Sequence, residues 1–175
     1  MSIENLKIRA EVLQKIRNFF ADRKVLEVET PLMGLATVTD PHLHSISVNY
    51  QAHPNAQVES RYLQTSPEYS MKRLLVEGSG CIYQICKAFR NGEAGKQHNP
   101  EFSMLEWYRI GFDHHQLIAE VTDLISLVLS INTIKKLSYA EVFKKYLDIN
   151  PHDIGLENLK AICARELISL PAGID

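Results

Sequence analysis

The sequence predicts an α+β protein, because its strand-like segments are grouped mid-chain while helical periodicities occupy both ends. Size and composition agree with one globular core: 175 residues, 45% apolar and 23% charged, is ordinary for a single domain. No internal repeat, low-complexity tract or second domain is visible in the pattern.

Taken in order, Ile8, Val12, Ile16, Phe19 and Phe20 recur at helical spacing, predicting an amphipathic helix over about 5–23. Val25 to Thr30 reads as a short extended piece closed by Pro31. Ile46, Val48 and Tyr50 alternate with polar residues as in a half-buried strand, 51–60 reads as a turn or loop, and 62–65 as a short strand. Antiparallel pairing is expected. Ser66-Pro67 predicts an N-cap and first helical residue, with the helix running to about Glu77 and stopped by Gly78. Two apolar runs, 81–89 and 102–110, flank a polar loop containing Gly92, Gly95 and Pro100, the pattern of a long hairpin. Leu117, Ile118, Val121, Leu124, Ile125, Val128 and Leu129 form one helical face, Ser138 with Glu141 a capping box, and 156–168 a last helical segment before Leu-Pro-Ala-Gly-Ile-Asp.

Several function classes are disfavoured. A net charge of −2, with no basic run, offers no footprint for unaided RNA binding. The N-terminus lacks a secretory apolar core and the apolar stretches are interrupted well before 18 residues, so a cytoplasmic protein with no membrane association is expected. Cys81, Cys86 and Cys163 lack C-x-x-C spacing and read as small buried hydrophobes, the first two on opposite faces if they share a strand. The seven histidines are scattered, so no metal site is expected.

The hairpin carries the chemistry. Arg90 at a strand end has the planar fork suited to a phosphate or carboxylate. Across the loop His98 and Asn99 add donors, and Phe102 offers a flat face to a planar base. Glu106 and Tyr108 share a strand face with Phe102, where an acid could hold a cation. Singly, each has a bland alternative: Arg90 with Glu93 as a surface ion pair, Phe102 as a core aromatic, Glu106 as a solvated strand residue.

Their order decides between these readings, because FRNGEAGKQHNPEF closely resembles motif 2 (about 89–106) of class II lysyl-tRNA synthetases and their short paralogues. ADRKVLEVETP, about 21–31, resembles motif 1, which in that superfamily forms the homodimer interface, and TSPEYSMKRLL from Thr65 resembles the amino-acid-binding segment. The resemblance implies the N-terminal part of the class II aminoacyl-tRNA synthetase antiparallel-sheet catalytic domain, flanked by helices, across 1–175. ATVTD from Ala36, TSPEY and MLEWYR from Met104 look most like the short paralogues that attach β-lysine to a lysine of elongation factor P. About twenty residues precede motif 1, so no anticodon-reading OB-fold is expected.

Site roles follow from the resemblance. ATP would be held by Arg90, Asn91, Gly92, His98, Asn99 and Phe102, with Arg90 as the catalytic group on the α-phosphate, Phe102 stacked on adenine and Mg2+ offsetting phosphate charge. Lysine or β-lysine would be held by Glu68, Glu106 and Tyr108, two separated acids suiting a diamine; Ser66 reads equally as a helix cap and as a substrate contact. The implied reaction is ATP-dependent formation of an aminoacyl adenylate and transfer to elongation factor P. The chain departs from the pattern at Gly92, where the family has an adenine-contacting Glu; the loss is worth on the order of 1 kcal/mol. No motif 3 follows Glu106, so a truncated chain with weak or no activity alone is expected; the competing readings are a noncatalytic dimerising remnant and a truncated lysyl-tRNA synthetase.

Overall fold

The computed structural model describes residues 2–170 and 173; Met1 and residues 171, 172, 174 and 175 of the closing stretch lie outside the described residues. Two compact units are present, Met1–Ile131 and Asn132–Asp175. The first contains α1 (Ile3–Asp22), β1 (Leu26–Glu27), β2 (Met33–Gly34), β3 (Ser47–Tyr50), β4 (Glu59–Leu63), α2 (Glu68–Val76), β5 (Ile82–Phe89), β6 (Glu101–Tyr108) and α3 (His114–Leu129). The second contains α4 (Tyr139–Leu147) and α5 (Leu156–Arg165). Helices and sheets thus mix as an α+β fold.

Two three-stranded sheets form in the first unit, ordered β1-β5-β6 and β2-β4-β3. Antiparallel pairing holds for β2 with β4, β3 with β4, and β5 with β6. It fails for β1, which runs parallel to β5 with Leu26 opposite Ile82. The chain between them is long enough for a crossover, and the Leu26 and Val28 N–H groups donate to the carbonyls of Cys81 and Tyr83 at 3.0 and 2.9 Å. The extended piece Val25 to Thr30 therefore contains only two residues of strand, and the strand expected at 62–65 is instead Glu59–Leu63.

The hairpin register sets the core. Ile82 faces Tyr108, Gln84 faces Glu106, Cys86 faces Met104 and Ala88 faces Phe102, so the even-numbered side chains share one face and the odd-numbered ones the other. On the odd face Phe20 of α1 stacks on Tyr83 with ring centroids 4.4 Å apart and lies 5.5 Å from Trp107. Phe19, Val25 and Leu124 complete this core, with Ile16, Ile85, Leu105 and Val128 packed against it. Each fully buried large side chain contributes about 1.5–3 kcal/mol. Ile8, expected on the buried stripe of α1, is instead 52% exposed, because the core reaches only the C-terminal half of that helix.

Helix ends follow local chemistry. Gly78, at φ +86°, follows α2 in the left-handed region, and the N–H groups of Gly78 and Ser79 bond back to Leu75 and Leu74. Capping boxes open α3, by Asp113 and Gln116, and α4, by Ser138 and Glu141. At α2 the cap is Pro67 rather than Ser66, although the Ser66 hydroxyl still accepts the Glu68 N–H at 3.1 Å. All three cysteines are free and half-buried rather than buried, with Cys81 on the core side and Cys86 on the even face. No helix among the described residues is long and apolar enough to cross a membrane.

A buried carboxylate fastens α3 to the sheet. Glu120, 5% exposed, accepts the Trp107 indole N–H at 3.0 Å and pairs with Arg109 Nε at 3.3 Å and Arg23 Nε at 3.6 Å. Removing the acid leaves the nearly buried Arg109 guanidinium without its ion-pair partner, while Arg23 keeps Asp123 at 3.3 Å. Glu120→Ala is expected to lower unfolding stability by about 3 kcal/mol, read by urea denaturation. Burial, with the bond that Tyr83 donates to Glu27 at 2.8 Å, pushes the Tyr83 phenol up from 10.0 to about 12. The unfolded chain therefore ionises first as pH rises, so this contribution is full below pH 10 and is lost between pH 10 and about 12. The expected loss is up to about 3 kcal/mol, checked by denaturation at pH 9 and above, with Tyr83→Phe flattening the profile.

Candidate functional site

The even face of the hairpin carries the candidate groups, while Tyr83, Ile85, Leu105 and Trp107 of the odd face pack in the aromatic core. At its open end Arg90 extends the ladder, its N–H donating to the Pro100 carbonyl at 2.9 Å. The guanidinium carbon lies 5.2 Å from the Phe102 ring centroid. Its Nε is buried without a hydrogen-bond partner among the described residues, and the acid beside it, Glu93, is 3.8 Å from Nη1. A cation with an unsatisfied donor above an aromatic face suits an anionic group attached to a planar base. The surface ion pair with Glu93 is too long to satisfy that donor.

At the other end Glu106 is the hub of a polar cluster. Its Oε1 accepts a short bond from the Ser66 hydroxyl, and its Oε2 accepts from the Tyr108 hydroxyl at 3.1 Å. Burial first, then the Glu106 charge and the bond to it, hold the Tyr108 phenol well above the usual range, so Tyr108 remains a donor. The Ser66 hydroxyl thus accepts at the start of α2 and donates to Glu106. It is placed by β4, whose continuation bonds to the hairpin: the Phe89 N–H donates to Gln64 O at 2.9 Å and Gln64 Nε2 to Lys87 O at 2.8 Å.

Glu68, at the start of α2, pairs with Lys72 and lines a cavity of about 240 Å³ with Ser66, Tyr69, Arg73, Thr37 and Ser45. Phe102 and Glu106 do not line that cavity; they stand on the sheet face beside it. Asn91 is tied to the preceding loop through its N–H bond to His44 O at 2.7 Å. His98 and Asn99 lie exposed on the hairpin loop, where His98 exchanges backbone bonds with Gly95. Two groupings are therefore brought together, Arg90 with Phe102 and Ser66 with Glu106 and Tyr108, whereas Asn91, Gly92, His98 and Asn99 remain on the loop.

Gly92 has φ +80°, and a Cβ added there would find nothing within 4 Å, so a side chain meets open space but a strained backbone. Cys86, across from Met104, has its thiol pushed up by burial and then by the Glu106 charge, against a bond from Gln64 Nε2 at 3.4 Å, which makes it a poor nucleophile. Sequence reasoning misses Gln84, which is 2% exposed, stands opposite Glu106, and accepts from Thr30 at 3.0 Å. Its only sequence signal is a polar residue amid an apolar run. Among the described residues no three His, Cys, Asp or Glu side chains converge to hold a metal ion.

Ser66→Ala removes a donor to Glu106 and an acceptor at the helix start together. The expected cost is about 1–2 kcal/mol of stability by thermal or urea unfolding, with Ser66→Thr recovering much of it.

Residues 1–162 match the family described as tRNA synthetases class II (D, K and N). Similar curated proteins include the elongation factor P (R)-beta-lysine ligase of Vibrio vulnificus, 52% identical over 164 residues, 94% of this chain and 51% of that protein. The protein of the same name from Photorhabdus laumondii is 50% identical over 174 residues, 99% of this chain and 54% of that one. That from Pseudoalteromonas translucida is 48% identical over 165 residues, 94% of this chain and 51% of that one. The chain spans about half the length of the curated relatives it matches.

Proposed function

The chain belongs to the class II tRNA synthetase family, and from that premise we propose that it is part of a catalytic domain that activates lysine or (R)-β-lysine with ATP and transfers it to a lysine of elongation factor P. The observation that carries this reading is the division of one hairpin face into an anion-and-base end, Arg90 over Phe102, and an acid end, Glu106 with Ser66 and Tyr108. A diamine with an α-carboxylate has charges to match both ends.

In the first step a carboxylate oxygen of the amino acid attacks the α-phosphorus of ATP, the bond to the pyrophosphate oxygen breaks, and an aminoacyl adenylate forms. Arg90 neutralises charge on the α-phosphate as it develops, while Phe102 holds the adenine plane; Asn91, Gly92, His98 and Asn99 supply loop contacts to the nucleotide. Glu106 and Tyr108 receive the amino group at one end of the substrate and Glu68 the other, with Ser66 holding Glu106 in place. In the second step the acceptor amine attacks the acyl carbon, AMP departs, and the amine gives up a proton. Magnesium, where bound with ATP, would offset the phosphate charge.

Association through the motif 1 region is part of the same proposal. Within that segment, about 21–31, Leu26 on β1 is 56% exposed and offers an apolar contact to a second copy of the chain. A noncatalytic dimerising module would use the same surface without needing Arg90 or Glu106.

Calorimetry with a nonhydrolysable lysyl-adenylate analogue separates these readings. Binding is expected to weaken about 10- to 100-fold in Arg90→Ala and in Glu106→Gln, the loss of a charged hydrogen bond worth about 1.5–3 kcal/mol. Equal binding of the norleucyl analogue, which lacks the terminal amine, would overturn the diamine assignment.

A further inference from the structure

Glu68 is not a free carboxylate. The Lys72 ammonium, one helical turn further along α2, is bonded to Glu68 Oε1, in the favourable order with the acid nearer the helix N-terminus. Both side chains are about half exposed, 56% for Lys72 and 46% for Glu68, so the pair is loosely held and open to exchange. Lys72 also feels the charge of Glu106 and lies beside Tyr69, while Arg73 lines the same cavity as Glu68. On its outer side Lys72 borders a shallow hollow shared with Val76 and Glu77, which gives the displaced side chain somewhere to go.

We propose that Lys72 is an internal stand-in for the substrate's amino group: its ammonium occupies Glu68 in the ligand-free protein, and substrate binding is an exchange of one ammonium for another. The inference rests on the proposed role of Glu68 in holding a substrate amine. The arrangement keeps the two acids, Glu68 and Glu106, from standing together without a cation before the ligand arrives. It also sets affinity, because every incoming diamine competes with a tethered amine. A ligand without a cationic group at that position leaves Lys72 on Glu68 and gains nothing from that acid. Lys72 is thus a specificity-determining residue that gives way to the ligand.

The test is calorimetric titration of the purified chain with L-lysine, for wild type, Lys72→Met, Lys72→Arg and Glu68→Gln, each checked by thermal melting. Lys72→Met is expected to bind lysine about 2- to 5-fold more tightly, the range an exposed pair allows. Lys72→Arg, which keeps the cation, should stay near wild type, and Glu68→Gln should weaken binding. In wild type labelled at lysine Cε, the Lys72 amine, held above its ordinary range mainly by its bond to Glu68, should titrate lower once lysine is bound. Unchanged or weaker binding by Lys72→Met, alongside weaker binding by Glu68→Gln, would overturn this proposal and leave the functional reading standing. Insensitivity to Glu68→Gln, or no lysine binding by wild type, would overturn the functional reading and this proposal with it.

Discussion

The ladder between β5 and β6 pairs Ile82 with Tyr108 at one end and Phe89 with Glu101 at the other, and a strand's period of two turns that register into a partition of side chains. Odd positions receive Phe20 and the rest of the aromatic core; even positions receive Arg90, Phe102, Glu106 and Tyr108. A slip of one residue between the strands would change which side chains stand opposite one another, separating Phe102 from Ala88 and Glu106 from Gln84. The stacked Tyr83 and Phe20 rings resist such a slip from behind, so the energy that holds the core together also orients the site.

The other elements serve that face. Gln64 continues β4 onto the end of β5, carrying Ser66 to within bonding distance of Glu106, and the start of α2 then places Glu68 over the neighbouring cavity. Glu120 joins α3 to Trp107 and Arg109 on the opposite side, away from Phe102 and Glu106. The polar cluster around Glu106 is satisfied within the protein, whereas Arg90 retains a buried donor without a partner among the described residues. Arg109 Nε on the opposite side is also buried without a hydrogen-bond partner among them, but it has the Glu120 carboxylate at 3.3 Å, whereas the acid beside Arg90 is 3.8 Å away.

Much of this is legible in the residues. The apolar runs on either side of the 90–100 loop specify a hairpin, the offsets between Phe102, Glu106 and Tyr108 specify a shared face, and Ser138 with Glu141 specifies a cap. Asp113 with Gln116 carries the same capping signal, masked by the two histidines between them. Other features depend on contacts between distant segments. The parallel run of β1 depends on where the chain returns after α2, the bond from Ser66 to Glu106 joins residues forty apart in sequence, and Glu120 finds Trp107 and Arg109 only when α3 packs on the hairpin. The Glu68 and Lys72 spacing is visible as a helical pair, but its place at the cavity mouth is not.

Mapping a bound nonhydrolysable lysyl-adenylate analogue by NMR tests the partition directly. Shift changes should concentrate on the even-numbered hairpin residues, Phe102, Met104, Glu106 and Tyr108, and on Arg90, while Lys87 and Ser103 on the odd face stay still. Changes centred on Lys87 and Ser103, or spread equally over both faces, would contradict the account.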